Sequence, residues 1–324
     1  MADMGTAVSD RDATPARSEN DTPRSLVGLA LGAGAARGWS HIGVIERLME
    51  AGIPPDVVSG TSIGALVGGC YAAGRLEELR EFALSLTRRR MFSLLDLSWS
   101  GAGIITGDRL RGLIEEQFGD MEFSHLRLPF ICIATELATG HEIWLRQGEL
   151  APAIRASYAL PGVFKPVQVN GQWLIDGAVV NPIPVSACRA LGARLVIAVN
   201  LNNDAFGGTV VQEPTRLLGG PQAAHEPASE PEKRSALRQM IGRSNAPGLT
   251  TVLVSAFNIS QDRLARSRLA GDPPDILMIP RTADIGLFDF EKAQLAIEAG
   301  REAAERVLPD IEFALGVLDR FAAR

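Results

Sequence analysis

The chain has 324 residues, 46% of them hydrophobic and 22% charged, with a formal net charge of −6. At about 150 residues per domain this means two domains at most, or one large α/β domain with extensions. It excludes a collagen, a coiled coil and a wholly disordered chain, and the acidic balance speaks against nucleic-acid binding. Three scattered cysteines, Cys70, Cys132 and Cys188, form no CxxC pair. They read as buried thiols in a reducing compartment, not as a disulfide frame or a zinc site, so neither metal nor cofactor is expected. The longest apolar stretches are interrupted by Gly, Pro or a charge well before the roughly 18 residues of a membrane span. Met1–Arg24 is polar and lacks the apolar core of a signal peptide, so it reads as a disordered tail on a cytoplasmic protein.

Order begins at Ser25. Leu26–Leu31 is an apolar run that meets a glycine-rich turn, which predicts a buried strand. Trp39–Ala51 has helical spacing, with Ile42, Ile45, Leu48 and Met49 on one face, and Gly52 and Pro54-Pro55 end it. Asp56–Ser59 is a second strand, Gly60–Gly64 a tight turn, and Ala65–Ala73 a helix. This β-turn-α-β-turn-α opening implies a parallel, doubly wound sheet. Arg75–Arg90 reads as a helix and Phe130–Thr135 as a central strand. Further strands are expected at Glu142–Leu145, Gln172–Ile175, Leu195–Val199 and Ile276–Ile279. Helices are expected at Val185–Leu191, Thr250–Leu269 and Phe290–Val307. Asn202–Gly248, rich in Gly and Pro, is too long for a structureless loop of a compact domain and reads as a mobile insertion.

Gly60-Thr61-Ser62-Ile63-Gly64 fits the nucleophile elbow G-x-S-x-G, with a strand before it and a helix after it. A serine on such a turn projects its Oγ away from the sheet, and the glycines remove side chains that would collide. The helix N-terminus adds an N–H near a developing oxyanion. The plainer reading is an ordinary tight turn. The other turn, Gly32-Ala33-Gly34-Ala35-Ala36-Arg37-Gly38, reads as an anion cradle of backbone N–H groups with Arg37 adding charge. It also reads as a close-packed strand–helix connection. Dinucleotide binding is disfavoured, because Arg37 stands at the sixth position of G-x-G-x-x-G and no acid closes the next strand.

A serine nucleophile needs a base. None of the four histidines suits the order Ser, acid, His. His41 precedes Ser62, His125 and His141 precede the best acid, and His225 lies in the insertion. The remaining candidate is Asp176, at a strand end before Gly177-Ala178, where little bulk would block its approach to a hydroxyl. Turn chemistry alone favours a plain Asp-Gly turn there. A free aspartate, with a pKa of about 3.9, is a weak base unless burial raises it.

Four motifs together, GAGAARG, GTSIG, Ala156–Val167 (ASYALPGVFKPV) and Ile175–Pro184 (IDGAVVNPIP), resemble the patatin-like phospholipases. The likeness is greatest to bacterial RssA-type members, which are related to the neuropathy target esterase catalytic domain. The resemblance is strong from about Leu26 to Ala193 and weaker to the end. It implies a three-layer α/β/α patatin-like fold with a mainly parallel central sheet. With the tail (1–24) and the insertion (202–248) read from composition, the chain divides into the tail, the phospholipase domain (25–193) and the C-terminal part of the fold (194–324) that holds the insertion. The resemblance further implies a serine lipid acyl hydrolase acting on a lipid or fatty-acyl ester, with Ser62 as nucleophile and Asp176 as general base. The loop with Gly32, Gly34, Ala35, Arg37 and Gly38 would form the oxyanion hole, and Gly60, Gly64, Gly177 and Ala178 would complete the motifs. Ala33 and Ala35 depart from the family's glycine-richer loop, and alanine tolerates positive φ poorly. A non-catalytic regulatory protein on the same fold is the alternative; loss of Ser62 or Asp176 would have favoured it.

Arg88-Arg89-Arg90 precedes an apolar run to Trp99, and Gly101, Gly103 and Gly107 follow. A basic-then-apolar segment suits a lid or rim in peripheral contact with the anionic inner membrane surface. The other reading is a helix C-terminus whose arginines complement the dipole, followed by core residues. Trp39, Trp99, Trp144 and Trp173 read as core or pocket wall. Glu291, Lys292, Glu298, Arg301 and Glu302 read as the solvated face of the last helix.

Overall fold

The computed structural model describes residues 26–90, 112, 114, 115, 118–202 and 249–322. An apolar strand without polar alternation must be covered on both faces. β1 (Val27–Leu31) is buried throughout. Val27, Leu29 and Leu31 point into one layer and Ala30 into the other. The first layer holds α1 (Ser40–Glu50), α2 (Ile63–Ala72), α3 (Leu76–Leu84), α4 (Leu150–Ser157) and the long α7 (Ala293–Ala322). The second holds α5 (Val185–Ala190) and α6 (Leu249–Gly271), through Val185, Cys188 and Ala265. This is the three-layer α/β/α architecture with a mainly parallel sheet. α1 and α7 approach closely at two glycines, since a Cβ on Gly43 would run into the Ile297 carbonyl and one on Gly300 into that of Ser40.

The parallel part of the sheet runs β3 (Phe130–Glu136), β2 (Val57–Thr61), β1, β7 (Leu195–Val199) and β8 (Ile276–Met278). Residues on both sides of position 193 therefore share one sheet. Three antiparallel strands finish the other end: β4 (Glu142–Leu145), β5 (Val167–Val169) and β6 (Gln172–Asp176). β3 pairs with three strands, and the register decides where each one lies. β2 faces Phe130–Ile133, β6 faces Ala134–Glu136, and β4 faces Cys132–Thr135, overlapping both. A strand has two edges, so β4 occupies one, while β2 and β6 lie end to end on the other. Thr61 ends β2 opposite Ile133, and Asp176 ends β6 opposite Ala134. The residue after Thr61 must therefore meet Asp176.

Several elements differ from the sequence expectation. The helix expected over Arg75–Arg90 stops at Leu84, where Ser85 Oγ donates to the Phe82 carbonyl at 2.6 Å and competes with the helical bond. Residues 88–90 are helical again, so the arginines stand at a helical start and the dipole argument for them fails. Arg88 Nε instead meets Glu291 at 2.6 Å, and Arg90 lies 5.6 Å from the centre of the Phe82 ring. The last helix does not end at Val307 but runs through Pro309 to Ala322. Leu308 and Ile311 continue its buried face, and that packing outweighs the roughly 3 kcal/mol penalty of an internal proline.

Trp39 is core, but Trp144 and Trp173 are 38% and 53% exposed. They lie on the antiparallel strands, where a sheet face can meet water. On the last helix Glu298 and Glu302 are exposed as expected, whereas Arg301 bridges Glu46 and Glu50 of α1. α4 and β5 had no counterpart in the sequence reading. The tail, Trp99, Gly101, Gly103, Gly107 and the insertion from 203 to 248 lie outside the described residues.

Candidate active site

Ser62 occupies the single residue between β2 and α2, at φ 58° and ψ −121°. A non-glycine residue held in such a conformation costs about 1–3 kcal/mol and needs its surroundings to enforce it. They do so. The Ser62 amide donates to Ser157 Oγ at 2.9 Å, and Thr61 Oγ1 donates to the Asn181 carbonyl at 2.8 Å. A Cβ on Gly64 would collide with the Leu31 carbonyl, and one on Gly60 with that of Gly64. Both glycines therefore allow close backbone approach.

Ser62 Oγ donates to Asp176 Oδ2 at 2.9 Å. The other carboxylate oxygen, Oδ1, accepts from the Ala178 amide at 2.8 Å and so caps the short 3-10 turn Gly177–Val179. Asp176 is thus both an Asp-Gly turn residue and the partner of the serine. A Cβ on Gly177 would strike the Ile133 carbonyl. Asp176 is 2% exposed. Burial pushes its carboxyl up to about 7, against the opposing pull of the hydrogen bonds from Ala178 and Ser62.

In the loop after β1, the amides of Gly32, Ala33 and Ala36 donate to Val199, Pro182 and Leu287 carbonyls at 3.2, 2.9 and 3.0 Å. The amides of Gly34, Ala35 and Ile63 have no acceptor among the described residues. Ala35 takes φ 49°, the left-handed region the sequence argument held unfavourable for alanine. A Cβ on Gly34 would lie 2.7 Å from that of Leu201, and one on Gly38 would enter the Ile63 side chain. The Arg37 guanidinium donates to the Ile285 carbonyl at 3.1 Å and the Leu201 carbonyl at 3.3 Å. It clamps the loop to two later segments.

His41 is fully buried, and its Nε2 donates to the Gly32 carbonyl at 2.8 Å. Desolvation lowers its pKa to about 4, so it props the loop as a neutral ring. His125 and His141 are exposed, and His225 lies outside the described residues. Burial pushes the thiols of Cys70, Cys132 and Cys188 up to about 12, so none competes as a nucleophile. Among the described residues no group of His, Cys, Asp and Glu is placed to hold a metal ion, and no helix is long and apolar enough to cross a membrane.

Ser62 and Asp176 open into a cavity of about 120 Å³. An apolar wall of its lining joins Leu160 and Val163 to Phe257 of α6 and to Leu287 and Phe288. Tyr158 and Phe164 pack edge to face, their ring centres 5.5 Å apart. Sequence reasoning missed this wall, and it missed Ser157 and Asn181, which hold the elbow. Both of these lie inside stretches already singled out as motifs. Phe257 and Leu287 carried no local signal.

The family model of the patatin-like phospholipases matches residues 29–189. An NTE family protein of Mycobacterium tuberculosis is 34% identical over 340 aligned residues, covering 90% of this chain and 93% of that protein. Human patatin-like phospholipase domain-containing protein 6 is 35% identical over 186 residues, 55% of this chain but 14% of that protein. Lysophospholipase NTE1 of Saccharomyces cerevisiae is 36% identical over 185 residues, again 55% of this chain and 11% of that protein. The first of these similarities extends over nearly the whole of both chains, and the family match takes in the elbow, the glycine-rich loop and Asp176. The chain belongs to the patatin-like phospholipase family of lipid ester hydrolases.

Proposed function

We propose that the protein hydrolyses lipid acyl esters with Ser62 and Asp176 as a dyad. The observation that carries this is the 2.9 Å bond between Ser62 Oγ and a buried aspartate, both lining an apolar cavity. As Oγ attacks the ester carbonyl, its proton passes to Asp176 Oδ2. The carbonyl oxygen gains charge and is met by the amides of Gly34, Ala35 and Ile63, each otherwise without an acceptor among the described residues. Collapse of the tetrahedral intermediate expels the alcohol, which takes the proton from Asp176. Asp176 then deprotonates the water that attacks the acyl-serine, and the fatty acid leaves as Ser62 regains its proton. A carboxyl with a pKa near 7 is a far better base than a solvated aspartate. The apolar wall accommodates the acyl chain.

The test is ester hydrolysis by wild type, Ser62→Ala and Asp176→Asn, with His125→Ala and His141→Ala as controls. The first two variants should each lose at least about 10⁴-fold in turnover, and the double variant should be little worse than either, as for groups that act as a unit. The histidine variants should retain activity. A folded histidine variant as inactive as Ser62→Ala would overturn the dyad.

A further inference from the structure

α6 brings two carboxamides to the cavity that holds Ser62 and Asp176: Asn258 and, one turn on, Gln261. Gln261 is only 6% exposed. Neither carboxamide has a hydrogen-bond partner among the described residues, and neither is fully enclosed by protein, so both are open to the cavity. Their neighbours in the lining are mostly apolar, and among the described residues no lysine or arginine lines the cavity. The helix is anchored as well as packed. Arg268, seven residues beyond Gln261, donates to the Val180 carbonyl at 3.1 Å and 2.8 Å and to Glu142 Oε2 at 3.0 Å. Val180 follows Asp176 by four residues, so the carboxamides are held relative to the dyad.

We infer that Gln261, assisted by Asn258, reads an uncharged hydroxyl of the substrate's alcohol part, beside the ester that Ser62 attacks. This rests on the hydrolase reading above. A carboxamide both donates and accepts, which matches a hydroxyl and not the methylenes of an acyl chain. A phosphate would call for a cation, and the described lining holds none. A glyceryl ester carries a hydroxyl on a carbon adjacent to the one that bears the scissile oxygen. A simple alkyl ester would cover the amide without pairing it and be disfavoured, as in other sites built to bond a hydroxyl.

Two esters with one acyl chain separate these cases: monooctanoylglycerol and propyl octanoate, which keeps the three-carbon alcohol without its hydroxyls. Wild type should prefer the glyceryl ester in kcat/KM by about tenfold or more. Gln261→Met, of similar volume, should lose most of that preference, and Asn258→Leu part of it, with thermal unfolding confirming that both fold. A merely structural role would lower activity on both esters alike and leave the ratio unmoved. An unchanged ratio in both folded variants, or a wild type indifferent to the hydroxyls, would overturn the inference while leaving the dyad intact. Failure of wild type to hydrolyse either ester, or equal turnover by Ser62→Ala, would overturn the hydrolase reading and this inference with it.

Discussion

The cavity has two sides built by different forces. On the strand side each reacting group stands at a chain reversal tied by directional bonds: Ser62 through Ser157, Asp176 through Ala178, and the Gly34–Ala35 loop through Pro182, Leu287 and Arg37. The other is an apolar wall of Leu160 and Val163 with Phe164, Phe257 and Phe288 packed against them, and Leu287 joins the two, its carbonyl on the loop and its side chain in the wall. Directional bonds fix atoms to fractions of an ångström, which is what transition-state contacts require. Apolar packing excludes water and tolerates changes of shape that conserve volume. Precision is therefore concentrated at the strand ends, and the wall carries substrate fit.

The largest effect that separates the two sides comes from one methyl-bearing carbon on the loop. A Cβ on Gly34 would lie 2.7 Å and 2.8 Å from two Leu201 carbons, so Gly34→Val must displace the segment that carries two unpaired amides. Loss of a single oxyanion donor costs about 10²–10³ in turnover, and Gly34→Val should lose at least that much. Phe257→Leu, on the wall, should lose less than about tenfold. Steady-state kinetics on one short-chain ester compare the two directly. Equal losses would erase the distinction between floor and wall.

The strand side also holds a cost that the wall does not. Asp176 titrates near 7 when folded and near its ordinary 3.8 when unfolded. Between those values the folded protein keeps a proton that the unfolded chain has released, so stability falls as pH rises through this window. Turnover moves the other way, rising with pH through about 7 as the base ionises. Asp176→Asn removes the titrating group. Relative to wild type it should gain about 2–4 kcal/mol of stability between about pH 4 and about pH 8. Urea unfolding across that range reads the slope. A parallel pH dependence in the two proteins would mean that Asp176 is not desolvated as the fold implies.

The contrast between the two sides also explains what the sequence disclosed. Ser62 stands out in the sequence because an elbow is a local event: one serine, two glycines, a strand before and a helix after. Asp176 has no such local signal; the lack of a suitable histidine and the family resemblance point to it. The pairing of β2 and β6 end to end on β3 is not local, and neither is the desolvation that raises Asp176. Each depends on register between strands distant in sequence: Thr61 and Ile133 are 72 residues apart, and Ala134 and Asp176 are 42 apart. Ser157 lies within a motif, yet its bond to the Ser62 amide spans 95 residues. Phe257, Gln261 and Leu287 looked like any helix or loop residues, because an apolar wall has no sequence period of its own. The helix expected through Arg90 failed on a single Ser85 hydroxyl, and the end expected at Val307 failed because packing overrode a proline.

The smallest expected effect tests how the loop holds its shape. Ala35 sits at φ 49°, a conformation that costs an L-residue about 1–2 kcal/mol relative to its preferred region. Glycine would relieve this but adds about 0.5–1 kcal/mol of unfolded-chain entropy. Ala35→Gly should therefore stabilise the protein by less than about 1 kcal/mol in urea unfolding. The bonds from Ala33 to Pro182 and from Ala36 to Leu287 bracket residue 35 on both sides, so its amide should keep its direction. Turnover should then stay within about threefold of wild type, a difference of about 0.7 kcal/mol in transition-state stabilisation. A fall of a hundredfold with stability unchanged would mean that the alanine methyl, not the flanking bonds, aims the amide. Packing would then set precision on the strand side as well.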